Sequence, residues 1–167
     1  MNDTTRLGLG MTAIGAGIVH LGVVAGAPLL IAVPSLLLGL AELAWGVAAF
    51  VRDRPPLTRT AMLAVLAGPA FWCLVLITGE PIPMLPALIS TVLDLAIAVV
   101  LAISLRLAAS PGRSPGRWTR RPAVQLPLLF VSALAVGALV TPALAGSTAG
   151  DYAVPHGEYG HGAHGSP

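Results

Sequence analysis

The sequence predicts an all-α fold: a polytopic transmembrane helical bundle of five spans, with the amino terminus in the cytoplasm and the carboxyl terminus outside. Three observations carry that prediction. Of 167 residues, 56% are hydrophobic and only 10% are charged, whereas a soluble domain carries about 25% charged residues. The apolar residues gather into five runs close to the roughly 20 residues that a bilayer core of about 30 Å demands. All nine basic residues are Arg, and they fall at alternate ends of those runs.

The first run covers residues 7–26 and the second residues 34–51. Pro28 and Pro34 lie between them and predict a break there, because an interior proline removes a helical hydrogen bond and crowds the preceding turn. A continuous span across both runs would be too long for a bilayer at any reasonable tilt. The third run is Thr60–Thr78 and the fourth Met84–Leu107. They are joined by a proline-rich loop holding Pro81, Pro83 and Pro86. The fifth run covers 123–145 and has no ionisable residue. The first run has a single Arg before it and lacks a convincing cleavage site, so it reads as a retained signal-anchor.

The arginines orient the chain. Arg6 precedes the first run. Arg52, Arg54 and Arg59 lie between the second and third. Arg106, Arg113, Arg117, Arg120 and Arg121 end or follow the fourth. Alternating spans place all nine on one side, which the positive-inside rule makes cytoplasmic. The expected location is a bacterial cytoplasmic membrane, the Arg-only usage matching GC-rich codons.

Composition also excludes function classes. A soluble globule this apolar would expose large greasy patches, and a disordered chain would be poor in apolar residues. The sequence pI near 9.3 does not indicate a nucleic-acid partner, since the net charge is only +2 and the arginines flank apolar runs. No glycine-rich phosphate loop follows a strand. An enzyme is the least expected class, because no nucleophile–base set is evident. The expected partners are the lipid bilayer and other membrane subunits or a second copy of the chain.

Two domains are predicted: the transmembrane part at 1–145 and an extracytoplasmic tail at 146–167. The tail contains His156, His161 and His164 together with Glu158, separated by glycines. Imidazoles on a flexible chain can wrap copper, zinc or nickel.

Ionisable groups inside spans are costly and mark function. Three stand out: His20, Glu42 and Asp94. Counted from the outer ends of their spans at about 1.5 Å per residue, all three lie roughly 10–15 Å below the external surface. A histidine with two carboxylates is a first shell for a divalent metal, copper or zinc. Cys73 falls near that level and would favour Cu(I), and Met84 at the outer mouth would add a thioether. The same groups could relay protons or lock helices together by hydrogen bonding. Gly22 and Gly26 form a small-xxx-small pair for close helix contact.

The segments Gly17-Ile18-Val19-His20-Leu21, Ala41-Glu42-Leu43-Ala44-Trp45-Gly46 and Asp94-Leu95-Ala96 resemble small multi-spanning membrane proteins of GC-rich Gram-positive bacteria. Those proteins carry a similar His-Leu in the first span, a Gln/Glu-Leu-Ala-Trp in the second and often a His-rich end. The resemblance covers about the first 107 residues and implies no activity. Three functions are expected in order: handling of a transition metal, copper favoured, at the external face; a non-catalytic subunit of a respiratory or copper-dependent oxidase or oxygenase complex; and a proton-coupled transporter of small solutes.

Overall fold

The structure, a computed structural model, describes residues 3–52, 58–109 and 122–151. These are all-helical: α1 (Asp3–Val24), α2 (Leu29–Val51), α3 (Thr58–Thr78), α4 (Met84–Ala109), α5 (Pro122–Ala145) and the single turn α6 (Thr148–Asp151). The first five are each long and apolar enough to cross a membrane. Their outward side chains include Leu30, Leu37, Leu63, Ile77, Leu88, Leu126 and Phe130, a surface suited to lipid.

α1 is the centre of the bundle. Half of it is buried, against 6% of α5. It packs against α2, α4 and α5, while α3 leans on α4 and only lightly on α2. Gly10 faces Gly46 and Gly17 faces Gly39, so α1 and α2 run antiparallel. Gly15 meets Val136 and Gly22 meets Leu144, so α5 runs parallel to α1. The ends therefore alternate, and Arg6, Arg52 and Arg106 lie at one end of the bundle. Three apolar clusters are stacked along α1. Leu9 and Ala13 pack with Ala61, Val65, Ile97 and Leu101 nearest the Arg end. Ala16 and Val19 pack with Ile89, Leu93 and Ala143 in the middle. Val23 packs with Ile31, Trp72, Val75 and Ala87 at the opposite end.

The break between α1 and α2 comes earlier than the hydropathy runs predict. Gly26 turns the chain at φ +75°, and Pro28 immediately precedes α2. Pro34 lies inside the helix. Near the start of α2 it removes a single N–H, and a membrane helix tolerates that loss when neighbouring groups compensate. α5 likewise continues through Pro127 and Pro142. At the other end of α2, Arg6 Nη1 donates to the carbonyls of Ala49 (2.6 Å), Phe50 (3.3 Å) and Arg52 (2.5 Å). These are carbonyls that a helix C-terminus leaves without N–H partners, and a cation also complements the dipole there.

The closest helix contact is not the one the sequence motif indicates. Gly22 faces Leu144 and Ser147, and Gly26 faces Thr148, so that pair receives the start of the tail. The α1–α2 seam is built instead on Gly10 and Gly17 against Gly39 and Gly46. A Cβ on Gly17 would stand 2.8 Å from the Gly39 carbonyl oxygen, and one on Gly39 would stand 2.9 Å from that of Gly17. Both pairs repeat every seven residues, the spacing that keeps one stripe facing a partner helix. The buried stripe of α2 is Ile31, Ser35, Gly39, Glu42, Gly46 and Ala49. Glu42 is the single long polar side chain in it.

Gly17→Ala and Gly39→Ala are each expected to destabilise the protein by about 1–3 kcal/mol, because the added methyl meets backbone that cannot move aside. Gly137→Ala is the control: nothing lies within 4 Å of its Cβ position, so the better helix former is expected to be neutral or stabilising by up to about 1 kcal/mol. Reversible unfolding in mixed detergent micelles reads both. Equal effects at Gly17 and Gly137 would contradict the seam.

Candidate metal centre

His20 projects into the bundle from about one turn before the end of α1 and is fully buried. Its ring is fixed on three sides. Nδ1–H donates to Glu42 Oε2 across the seam at 2.9 Å. The indole of Trp72 on α3 stacks on it, the ring centroids 6.3 Å apart and the planes within 9°. The Cε1 edge lies 3.5 Å from the Cβ position of Gly68. Trp72 is itself held, because its Nε1–H donates to Ser90 Oγ on α4 at 3.0 Å, and Ser90 donates to the Ala87 carbonyl at 3.2 Å.

Asp94 on α4 enters the same space and is fully buried. Room for its carboxylate comes from Gly68 on α3, where a Cβ would fall on Asp94 Oδ2. Pro69 follows at once. Its missing N–H also removes the helical donor of the Val65 carbonyl. Four helices thus build the site: α1, α2 and α4 supply the ionisable groups, and α3 supplies the clearance and the stacked indole.

One donor atom each from His20, Glu42 and Asp94 lie within 4.8 Å of one another. Among the described residues His20 Nε2 is buried without a hydrogen-bond partner, and the carboxyl groups of Asp94 and Glu42 face each other at hydrogen-bonding range, a contact that needs a proton between them. Buried polar atoms are normally paired, so the unpaired His20 Nε2 beside two facing carboxyls makes this place a candidate for a bound ion or for shared protons. The charges say the same. Two carboxylates face one imidazole, and like charges in a low dielectric repel strongly unless a cation or protons intervene. With Nδ1 donating to a carboxylate, a neutral ring presents its lone pair at Nε2, the arrangement by which carboxylates orient metal-binding histidines.

The structure brings together the three intramembrane residues singled out in the sequence. It does not bring in the soft donors. Cys73 is exposed on the outside of α3, and Met84 is exposed at the first residue of α4. His156, Glu158, His161 and His164 lie outside the described residues. Gly68, Trp72 and Ser90 escaped the sequence reading. A Gly-Pro pair in mid-span was the available signal for the first, and nothing in the sequence pairs the other two.

The clearance at Gly68 makes a sharp prediction. Gly68→Ala is expected to cost about 1–3 kcal/mol by displacing the Asp94 carboxylate. In an Asp94→Ala background, where that carboxylate is gone, most of the cost disappears. A double-mutant cycle measures the coupling, and strict additivity would show that Gly68 and Asp94 do not meet.

No known protein family matches this chain, and no curated protein or solved structure matches it either, so its function is read from the His20–Glu42–Asp94 cluster itself.

Proposed function

We propose that this is a bacterial integral membrane protein that binds a divalent transition-metal ion inside its helical bundle, at His20, Glu42 and Asp94. One observation carries the reading: three metal-ligating side chains from three helices converge within 4.8 Å, in a fully buried place. One imidazole nitrogen and carboxylate oxygens are the donors that zinc and copper(II) accept. The thiolate argument for Cu(I) falls away with Cys73 on the outer surface. In this reading His156, His161, His164 and Glu158 form a capture tail for the same ion. By the positive-inside rule the tail is outside, the arginine end is cytoplasmic and the bilayer is the cytoplasmic membrane. The cluster then stands nearer the external face, where the tail would deliver metal.

A second reading is a non-catalytic subunit of a larger membrane complex, including a copper-dependent oxidase. It draws on α5, which is only 6% buried and leaves a long apolar face open to another subunit.

Elemental analysis of the purified protein, loaded with zinc or copper(II) and dialysed, tests the first reading. One ion per chain is expected in the intact protein and in a form truncated after Ala149. His20→Ala and Asp94→Asn are expected to lose it. Glu42→Gln is expected to weaken binding by about 10–100-fold, the usual consequence of losing a group that orients a ligand. Metal-free protein after loading would overturn the reading, and loss on truncation alone would move the site to the tail.

A further inference from the structure

α3 turns one buried stripe into the bundle: Ala61, Val65, Gly68, Trp72 and Val75. Two neighbours in the chain change what that stripe offers. Gly68 brings no side chain, and Pro69 lies inside the helix without an N–H. A helical carbonyl points along the axis towards the N–H four residues on. The Val65 carbonyl therefore points at Pro69, which has nothing to donate. Its oxygen ends beside the Cβ position of Gly68, and Asp94 Oδ2 stands at that position. The His20 Cε1 edge is 3.5 Å from the same point. A side chain at 68 would stand between the oxygen and the cluster, and glycine leaves that side open.

A carbonyl without its helical donor is costly inside a membrane unless another group meets it. The groups around this one are acceptors as well. Carboxylates only accept, and an imidazole that donates through Nδ1 has a lone pair at Nε2. The proton that the facing Glu42 and Asp94 carboxyls need lies between those two groups. His20 Nε2 is fully buried and has no partner among the described residues. Four helices thus bring lone pairs to one place, three through side chains and α3 through its backbone. A cation is the partner that such a set has in common, and membrane proteins use carbonyls released from helices as cation ligands.

We propose that the Val65 carbonyl oxygen is a fourth donor to the ion held by His20, Glu42 and Asp94. The inference rests on the metal reading above and adds a ligand that belongs to the backbone: Pro69 frees the carbonyl and Gly68 leaves it uncovered. Four donors are what zinc takes in a closed site. A neutral carbonyl supplies the fourth without adding charge to a cluster that already holds two carboxyls.

The test changes residue 69 in the full-length protein, with His156→Gln, His161→Gln and His164→Gln in every form so that the tail imidazoles do not contribute. The dissociation constant for zinc or copper(II) is read in lipid nanodiscs by competition with a chelator. Pro69→Ala supplies an N–H that draws the Val65 carbonyl back into the helix. Lactic acid at the same position, introduced by nonsense suppression, is alanine with an ester oxygen in place of that N–H, so the carbonyl stays free. The alanine variant is expected to bind about tenfold or more weakly than the proline parent, no less than the loss of a group that merely orients a ligand costs. The lactic-acid variant is expected to bind like the parent. Circular dichroism of the metal-free forms is expected to show the same helix content in all three, since alanine favours a helix interior over proline. Parent-like affinity in the alanine variant would overturn the proposal. Equal weakening in both variants would overturn it too, because the effect would then trace to the lost proline ring. A parent that retains no ion would sink the metal reading and this ligand with it, whereas a parent that binds beside an unaffected alanine variant would sink the carbonyl alone.

Discussion

The feature on which the rest of this structure depends is the close approach of α1 and α2. Gly10 and Gly17 lie against Gly46 and Gly39 so tightly that a methyl group on any of them would meet backbone or side-chain atoms at about 3 Å. In lipid no hydrophobic force drives helices together, so association rests on close contact and interhelical hydrogen bonds. The glycines provide the first, and their spacing leaves one gap in the stripe, which Glu42 occupies. Across that gap Glu42 meets His20, and the 2.9 Å hydrogen bond follows. Widening the seam by one methyl would separate His20 from Glu42 as well as α1 from α2.

A buried imidazole and two buried carboxylates are a demanding arrangement. Breaking up or failing to neutralise buried charges costs several kcal/mol, on the order of 3–5 for a pair that loses one partner. Arg6 does not relieve the cluster: it is fourteen residues along α1 from His20, about 21 Å away by helical rise, and its guanidinium is committed to the end of α2. A purely structural lock would pair its polar atoms with one another. Here His20 pairs with Glu42 and the Glu42 and Asp94 carboxyls face each other, while His20 Nε2 is left without a partner among the described residues. Gly68 makes this more pointed, since α3 gives up a side chain at the one place where Asp94 needs room. The unpaired imidazole nitrogen beside two carboxyls, rather than the mere presence of charge, is what supports reading the cluster as a binding site.

Much of this was legible in the chain, for reasons that differ by residue. The five spans follow from hydropathy alone, because the length requirement of a bilayer is long compared with errors of a few residues. His20, Glu42 and Asp94 were visible because charge is scarce inside spans. Their common depth survived even though the helix ends did not fall where the apolar runs suggested. Glu42 is thirteen residues from the start of α2, and His20 is four from the end of α1. The first turns of α2 overshoot α1, so a common level in the bundle does not appear as a common distance from the helix ends. What stayed hidden was pairing. Gly22 and Gly26 satisfied a local motif, but the seam depends on which glycines of α2 lie opposite, and that is a non-local fact. Pro34 looked like a terminator because its cost is local, whereas its toleration depends on the surrounding helices. Trp72 joins the site only because α4 places Ser90 where it can hold the indole.

Glu42 belongs to two environments at once, and this shapes what the protein can do. On one side it is sealed into the α1–α2 seam. On the other it forms part of the wall of a crevice between α2 and α3. The two sides differ because α1 offers glycines at matching heights and therefore closes on α2, while α3 offers alanines and stands off. His20 and Asp94 are fully buried and reach no such opening. A change in what Glu42 holds must alter the hydrogen bond to His20 Nδ1, and through the ring the basicity of Nε2. The carboxylate is thus the point at which the packing of the α1–α2 seam and the chemistry of the buried cluster are joined.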